Sequence, residues 1–165
     1  MAQELTVFFD DSTDGELRAL RDRLTAAGVP VTAGRPGVTL AAAGNIPAAT
    51  RKALRAELRV LSIPDLWFYT LGTFPGEDAV LLLTAVVDTE LLAVHSAVHD
   101  VLAGKVAHPS AYYFPGAWIP HCPLTPALDR EQLAAGFAAL QPAGSIRGSV
   151  SEIAIKDANG AETLA

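Results

Sequence analysis

Apolar and polar residues change their spacing several times along the chain, and the first change predicts a strand followed by a helix. Residues 5–10, LTVFFD, are rich in β-branched and aromatic side chains. Residues 10–28 carry leucines three and four positions apart and end in a glycine, as an amphipathic helix does. We expect Ser12 or Asp14 to cap the N-terminus of this helix.

The same alternation continues through the middle of the chain. Residues 37–44, GVTLAAAG, predict a second strand, and residues 47–58 predict a second helix with a proline near its start. Residues 66–74 and 79–87 are two apolar runs on either side of the sequence PGED, which is typical of a turn. These two runs predict an antiparallel hairpin.

The C-terminal half adds two further helices and two further strands. The predicted elements are a helix over 88–105 capped by Asp88 or Thr89, a strand over 119–125, a helix within 125–140 and a strand over 148–158. An aromatic and proline-rich loop joins the third helix to the next strand, and the last residues are left unassigned. No linker or low-complexity segment divides the chain, so we expect one α+β domain over residues 1–165.

Composition and charge narrow the classes of function. Half of the 165 residues are apolar, which is enough for a sizeable core. The net charge of -6 argues against a protein held on nucleic acid by bulk electrostatics, but it leaves room for a small phosphorylated ligand. The single cysteine, Cys122, fits a reducing compartment, and neither a signal peptide nor a membrane span is apparent. We therefore expect a cytoplasmic protein that does not enter a membrane.

Two short stretches of the chain repeat one another. Residues 36–40, PGVTL, and residues 120–124, PHCPL, align without gaps as proline, variable, small apolar, variable, leucine. A predicted helix follows each stretch. The repeat suggests two related halves, each of which contributes a strand to one cleft.

Longer stretches around this repeat resemble a known family. WIPHCPLTPAL, TLGTFPGEDAVLLL with the following LLAVHSAVHDVL, and RPGVTLA together resemble the two-histidine phosphoesterase superfamily, also called the 2′-5′ RNA ligase-like or RNA cyclic phosphodiesterase family. The resemblance runs from about Leu5 to about Ile155. It implies a two-lobed α+β fold with pseudo-twofold symmetry, in which each lobe offers a His-x-Thr or His-x-Ser tripeptide to a shared cleft. The implied chemistry is hydrolysis or ligation at 2′,5′ or 2′,3′-cyclic phosphodiesters, without a metal or another cofactor.

Physical chemistry explains why such a site needs two tripeptides. Opening a cyclic phosphodiester requires one group to take a proton from water and another to give a proton to the leaving ribose oxygen, and imidazole suits both roles near neutrality. The residue two positions after each histidine points to the same face of its strand, since side chains alternate with a period of two. A hydroxyl at that position can donate to a phosphate oxygen.

Only half of each tripeptide is present in this chain. The resemblance places the second histidine at His121, but Pro123 stands at the hydroxyl position and has neither a side-chain donor nor an N–H. The first hydroxyl is Thr39, whereas Gly37 stands at the position of the first histidine. The leading interpretation is a catalytically degenerate member that binds a nucleotide, an RNA end or another phosphorylated small ligand through Thr39 and His121.

Two other classes of function remain open from the sequence. The first is a weakly active phosphodiesterase, in which His121 is the catalytic residue and works with water or a partner such as Tyr69. The second is a structural or interaction module whose cleft is filled by side chains. A close approach of two backbones is an alternative reason for the glycine at position 37.

Each remaining candidate residue could have either a functional or a structural role. His95 and His99 have the i, i+4 spacing of a metal pair, but no third ligand is evident and we expect no metal. Arg35 could reach a phosphate or lie in solvent, and Cys122 is expected to alternate away from the cleft as a small core residue. The aromatic residues between the third helix and His121 could stack on a base or simply pack; they are Tyr112, Tyr113, Phe114 and Trp118.

Overall fold

The computed structural model describes residues 2–165, which form nine strands and four α-helices. The strands are β1 Gln3–Phe9, β2 Gly37–Asn45, β3 Leu66–Gly72, β4 Leu82–Ala85, β5 Ala107–Pro109, β6 His121–Pro123, β7 Ile146–Gly148, β8 Val150–Asp157 and β9 Gly160–Thr163. The helices are α1 Asp11–Ala26, α2 Ala48–Val60, α3 Thr89–Leu102 and α4 Arg130–Leu140, and Ala111–Tyr113 form a 3-10 turn.

The strands form two antiparallel sheets, which confirms the predicted two-lobed α+β class. The first sheet has the order β5-β2-β1-β8-β9, and the second has the order β6-β4-β3-β7. The predicted hairpin is β3 and β4. Helix α3 packs on α2 and contacts β2, whereas α1 packs on α4 and contacts β1 and β7. The two sheets meet in one apolar core, where the Phe9 and Phe68 rings lie edge to face with their centroids 5.5 Å apart.

Helix α1 is capped one residue after β1, and the prediction of Ser12 or Asp14 was therefore wrong. Asp10 is the N-cap, and its carboxylate accepts a hydrogen bond from the backbone N–H of Thr13 at 2.9 Å. This residue is extended and follows β1 directly, so the helix begins as soon as the strand ends. Asp88 caps α3, as one of the two predicted alternatives.

Three short strands were not predicted, and two predicted strands are shorter than expected. Of the predicted strand 79–87, only Leu82–Ala85 forms β4. Strands β5, β7 and β9 have three or four residues each, too few for a periodic pattern. Of the predicted strand 119–125, only His121–Pro123 pairs in the sheet, at its edge against β4. Within residues 2–165, no helix combines the length and apolar character that a membrane span requires.

Candidate functional site

The four repeat positions that the sequence singled out lie around one cavity. Gly37 and Thr39 of β2, and His121 and Pro123 of β6, line a cleft of about 270 Å³. The two strands belong to different sheets. The segment before β2 is joined to the residue after β6 by the backbone N–H of Thr32, which donates to the Leu124 carbonyl at 3.0 Å. The alignment of the two stretches in sequence therefore corresponds to a juxtaposition in space.

The apolar positions of the repeat also have matching environments. Val38 and Cys122, which follow the first variable position, are both fully buried. Leu40 and Leu124 are buried to within about 1%. Each stretch thus turns its apolar side chains into the core and its variable positions toward the cleft, as strand alternation requires.

His121 is held in one orientation at the wall of the cleft. Its Nδ1 lies 2.7 Å from the Ile119 carbonyl oxygen, and because that oxygen can only accept, the hydrogen bond assigns the proton to Nδ1. Nε2 then carries a lone pair. The Phe74 ring stands perpendicular to the imidazole at 5.0 Å between centroids. Burial lowers the pKa of His121, with the Ile119 carbonyl opposing, so the ring is neutral at pH 7.

Thr39 presents its hydroxyl to the same cleft within a small polar cluster. Its Oγ1 lies 3.3 Å from Oγ1 of Thr6 on β1. Tyr113 lines the same cleft, and burial and the charge of Glu4 raise its pKa to about 12. Trp118 donates from Nε1 to the Thr39 carbonyl at 3.0 Å and so holds the backbone at this residue. Thr39 can both donate to and accept from a bound ligand.

Gly37 is required by the close approach of β1 and β2. A Cβ built at this position lies 2.7 Å from Cγ2 of Thr6 and 2.8 Å from the carbonyl oxygen of Val7. Distances below about 3.0 Å are not tolerated, and one of the two neighbours is backbone. The structural alternative weighed for this glycine therefore holds: a histidine does not fit on this backbone.

Pro123 leaves the second hydroxyl position without a donor. It lies opposite Leu82 at the edge of its sheet and is exposed. Thr32 also lines the cleft, but its hydroxyl donates to the Leu124 carbonyl at 3.3 Å. Of the two tripeptides that the resemblance implies, the cleft holds one imidazole and one hydroxyl.

Four charged residues line the cleft: Glu4, Arg21, Arg35 and Lys156. The sequence had suggested only Arg35 as a residue that could reach a phosphate there. Lys156 lies 3.4 Å from the carboxylate of Glu4, and Arg35 pairs with Glu152 at 2.5 Å. Arg21 of α1 is buried and pairs with no carboxylate in the described part of the chain. The sequence held one indication that Arg21 is buried. It lies four residues after Leu17 and three before Leu24, so it falls on the apolar face of α1.

His95 and His99 support the backbone of β2. A register shift between β1 and β2 leaves Leu40 without a partner on β1. The Nε2 atoms of His95 and His99 lie 3.1 Å and 2.9 Å from the Leu40 carbonyl oxygen. His95 also stacks on Trp118 at 3.9 Å between centroids. Within residues 2–165, no group of three or more His, Cys, Asp or Glu side chains lies together, and this pair binds a carbonyl instead.

Burial lowers the pKa of His95 to about 4. The charge of His99 acts in the same direction, whereas the carbonyls of Tyr113 and Leu40 oppose the shift. His95 is only 1% exposed, so the neutral imidazole is the form that fits its site. His95 therefore contributes a neutral hydrogen bond at pH 7.

Of the aromatic residues considered for base stacking, only Tyr113 lines the cleft. Trp118 is buried against His95, and Phe114 lies on a separate apolar cavity of about 410 Å³ at the C-terminal end of α3. Tyr112 packs edge to face against Phe74 near His121. Tyr69 is exposed and lines another cavity, so it is wrong as a partner for His121.

Cys122 points away from the cleft, as strand alternation predicted. It is completely buried, and burial raises the pKa of its thiol to about 11. Such a thiol is neutral and unreactive at pH 7. Cys122 is a core residue.

The comparisons with known proteins agree with this geometry. The family model described as the 2′-5′ RNA ligase superfamily matches residues 9–162. Comparison with curated protein sequences gives no match.

Several solved structures share the fold at low sequence identity. Usb1 of Kluyveromyces marxianus is 11% identical with a TM-score of 0.57, over 99% of this chain and 97% of that one. Escherichia coli LigT complexed with 3′-AMP is 13% identical with a TM-score of 0.60, over 98% and 91%. The PDE domain of MHV ns2 is 13% identical with a TM-score of 0.54, over 98% and 96%. A second structure of the same Usb1 contains uridine monophosphate.

Proposed function

Because this chain belongs to the 2′-5′ RNA ligase superfamily, we propose that it is a catalytically impaired member that binds a small phosphorylated ligand in the cleft between β2 and β6. The ligand is a nucleotide, an RNA end or a similar phosphate ester. Residues 1–165 act as one two-lobed domain. The observation that carries the proposal is the single cavity lined by all four repeat positions, with one imidazole and one hydroxyl among them.

Binding is supported by the groups that the cleft retains. The Thr39 hydroxyl can donate to a phosphate oxygen, and the lone pair on Nε2 of His121 can accept from a ribose hydroxyl. Tyr113 also lines the cleft, and because its pKa is about 12 its hydroxyl keeps its proton and adds a further donor. Two proteins of the same fold contain nucleotides in their structures, uridine monophosphate in Usb1 and 3′-AMP in LigT. A mononucleotide is therefore the natural probe for this cleft.

Impairment is supported by the missing half of the proton-transfer machinery. A positioned acid or base contributes about 10²–10⁴ in rate, and one of the two is absent at Gly37. A lost hydroxyl donor to developing phosphate charge removes roughly another 10²-fold, by analogy with oxyanion donors. The expected rate is thus about 10⁴–10⁶ below that of a site with both tripeptides.

A weak phosphodiesterase activity through His121 alone is the second candidate. The neutral ring, with its proton on Nδ1 and its lone pair on Nε2, has the protonation state of a general base. Water would have to supply the proton to the leaving oxygen. This activity would disappear in His121→Ala and would fall as the pH drops below the pKa of His121.

The proposal is tested by measuring binding and turnover on the same preparation. Isothermal titration with 3′-AMP and uridine monophosphate should give saturable binding to the wild type. Thr39→Val should weaken it by about 3- to 10-fold, as the loss of one hydrogen bond predicts. His108→Asn is the matched control, because His108 is exposed on β5 and does not line the cleft.

Turnover is measured with a 2′,3′-cyclic nucleotide and a 2′,5′-linked dinucleotide. We expect neither to be cleaved at an appreciable rate. Hydrolysis that His121→Ala abolishes, at a rate comparable with other phosphodiesterases, would contradict impairment. Absence of nucleotide binding by the wild type would leave the structural or interaction module as the function. The single buried thiol is compatible with the reducing cytoplasm, where we propose that the protein acts.

A further inference from the structure

Arg21 is a buried cation on the apolar side of a helix. It lies among Leu17, Leu20 and Leu24, the residues through which α1 enters the core, and only 8% of it is exposed. Arginine is almost never buried to this extent unless its charge is paired. Arg21 nevertheless lines the cleft.

The hydrogen bonds of Arg21 leave part of its guanidinium unused. Nη1 donates to the Gly34 carbonyl at 2.6 Å, on the segment that leads into β2. Nε is shielded from solvent and has no partner. Within residues 2–165, no carboxylate oxygen lies within 4.0 Å of the Arg21 nitrogens. A buried charge with an idle donor is costly unless something else neutralises it.

The other cations of the cleft are already neutralised. Arg35 lies 2.5 Å from Glu152 and 3.9 Å from Asp14, and Lys156 lies 3.4 Å from Glu4. An anion that enters the cleft therefore meets one uncompensated positive charge, at the side formed by α1. The guanidinium is also the side chain whose planar fork best matches a phosphate.

We propose that Arg21 binds the phosphate group of the ligand, and that the ligand is a phosphate ester of the size of one nucleotide. This inference rests on the function proposed above and names the residue that recognises the anion. The cleft volume of about 270 Å³ is just below the roughly 300 Å³ at which ligand cavities begin, so the cleft favours one nucleotide over a dinucleotide.

This assignment is compatible with binding without cleavage. Arg21 supplies a positive charge to the phosphate, but a guanidinium stays protonated near neutrality and transfers no proton. It therefore does not replace the acid or base that is missing at Gly37. The alternative is that Arg21 only braces the loop before β2 through Gly34.

The experiment compares four proteins: the wild type, Arg21→Met, Arg21→Lys and Arg18→Met. Arg18 lies on the same helix in an exposed pair with Asp14, so Arg18→Met removes the same charge without touching the cleft. Each protein is titrated with 3′-AMP, adenosine, inorganic phosphate and the dinucleotide ApA. Arg21→Met should bind 3′-AMP about 10- to 100-fold more weakly, Arg21→Lys should be intermediate, and Arg18→Met should change by less than about 2-fold.

A measurement on the wild type keeps the test independent of how well the variants fold. The Nε–H resonance of Arg21 in a ¹H–¹⁵N spectrum should shift on addition of inorganic phosphate, and adenosine should leave it unchanged. Full 3′-AMP affinity in Arg21→Met, equal affinity for adenosine and 3′-AMP, or a static Nε–H signal under saturating phosphate would overturn the assignment. Tighter binding of ApA than of 3′-AMP would overturn the size limit. Failure of the wild type to bind any of the phosphorylated probes would instead overturn the proposed function itself.

Discussion

Single residues decide what this cleft can do, and Gly37 is the most constrained of them. The sequence comparison with His121 suggested a histidine position that had become a glycine. The structure adds that Thr6 and the Val7 carbonyl occupy the space where a Cβ would stand. The missing imidazole is thus part of how β1 and β2 pack.

Gly37→Ala should destabilise the protein, although alanine is usually the better residue in a strand. The added methyl group overlaps Thr6 and the backbone of Val7, and overpacking of this kind costs about 1–3 kcal/mol. The free energy of unfolding in urea measures the effect. Gly72→Ala is the matched control on β3, because a Cβ there meets nothing within 4 Å. Equal stability of the two variants would contradict the steric account.

The residues of the site were predictable to different degrees, for physical reasons. Thr39 and His121 stood in a repeat, and strand alternation placed both toward the cleft. Arg21 carried only a weak signal, since its burial depends on a cavity formed by residues distant in sequence. The reason for Gly37 depends on the separation of two backbones, which no local pattern contains.

At the scale of elements, β2 is shaped by side chains from outside its own sheet. The register shift that leaves Leu40 unpaired also leaves its carbonyl free for His95 and His99, and Trp118 takes the carbonyl of Thr39. A buried carbonyl without a donor would cost free energy, so these contacts stabilise the irregular strand. The histidine pair that resembled a metal site in sequence is a support for the cleft.

Acid should lower the free energy of unfolding through His95, which hydrogen-bonds to the Leu40 carbonyl. The pKa of His95 is about 4 in the folded protein and near 6.5 in the unfolded chain, so between these values the unfolded chain binds the extra proton. The contribution to stability is complete above about pH 6.5 and is lost as the pH falls toward 4. Urea unfolding at pH 7 and pH 4.5 should differ by about 2 kcal/mol from this residue.

His95→Gln isolates that contribution, because its amide can still donate to the Leu40 carbonyl but does not titrate. The variant should lose the His95 part of the pH dependence, and His108→Asn, at an exposed position, should retain it. An unchanged pH dependence in His95→Gln would contradict the assignment.

Helices and long strands followed the sequence pattern, and short strands did not. All four helices and the hairpin of β3 and β4 were predicted from periodicity and turn chemistry. Strands β5, β7 and β9 exist because a neighbouring strand offers free backbone groups, which is tertiary information. The true cap of α1, Asp10, was missed because it ends the preceding strand.

At the scale of the whole molecule, the two lobes are held together beneath the cleft. Cys122 lies at this point, fully buried on β6, the strand that contacts β2 of the other sheet. The thiol becomes accessible only when β6 separates from its surroundings. Its reactivity therefore reports on the opening of the fold at the cleft.

Native protein at pH 8 should react with a disulfide reagent at least about 10³-fold more slowly than protein in denaturant, since attack requires an opening of the core. The exposed position Ser96 provides the control, because Ser96→Cys introduces a thiol that should react at once. The absorbance of the coloured thiolate that the reagent releases measures both rates. Rapid labelling of Cys122 in the native wild type would contradict a closed core under the cleft.

The packing at Gly37 limits how the cleft can be redesigned. An imidazole at position 37 cannot be introduced by one substitution, because a side chain there is opposed by Thr6 and by the backbone of β1. A smaller residue at position 6 and a small retreat of the strand have to accompany it. A second imidazole in this cleft is therefore a design problem for two strands together and not for one position.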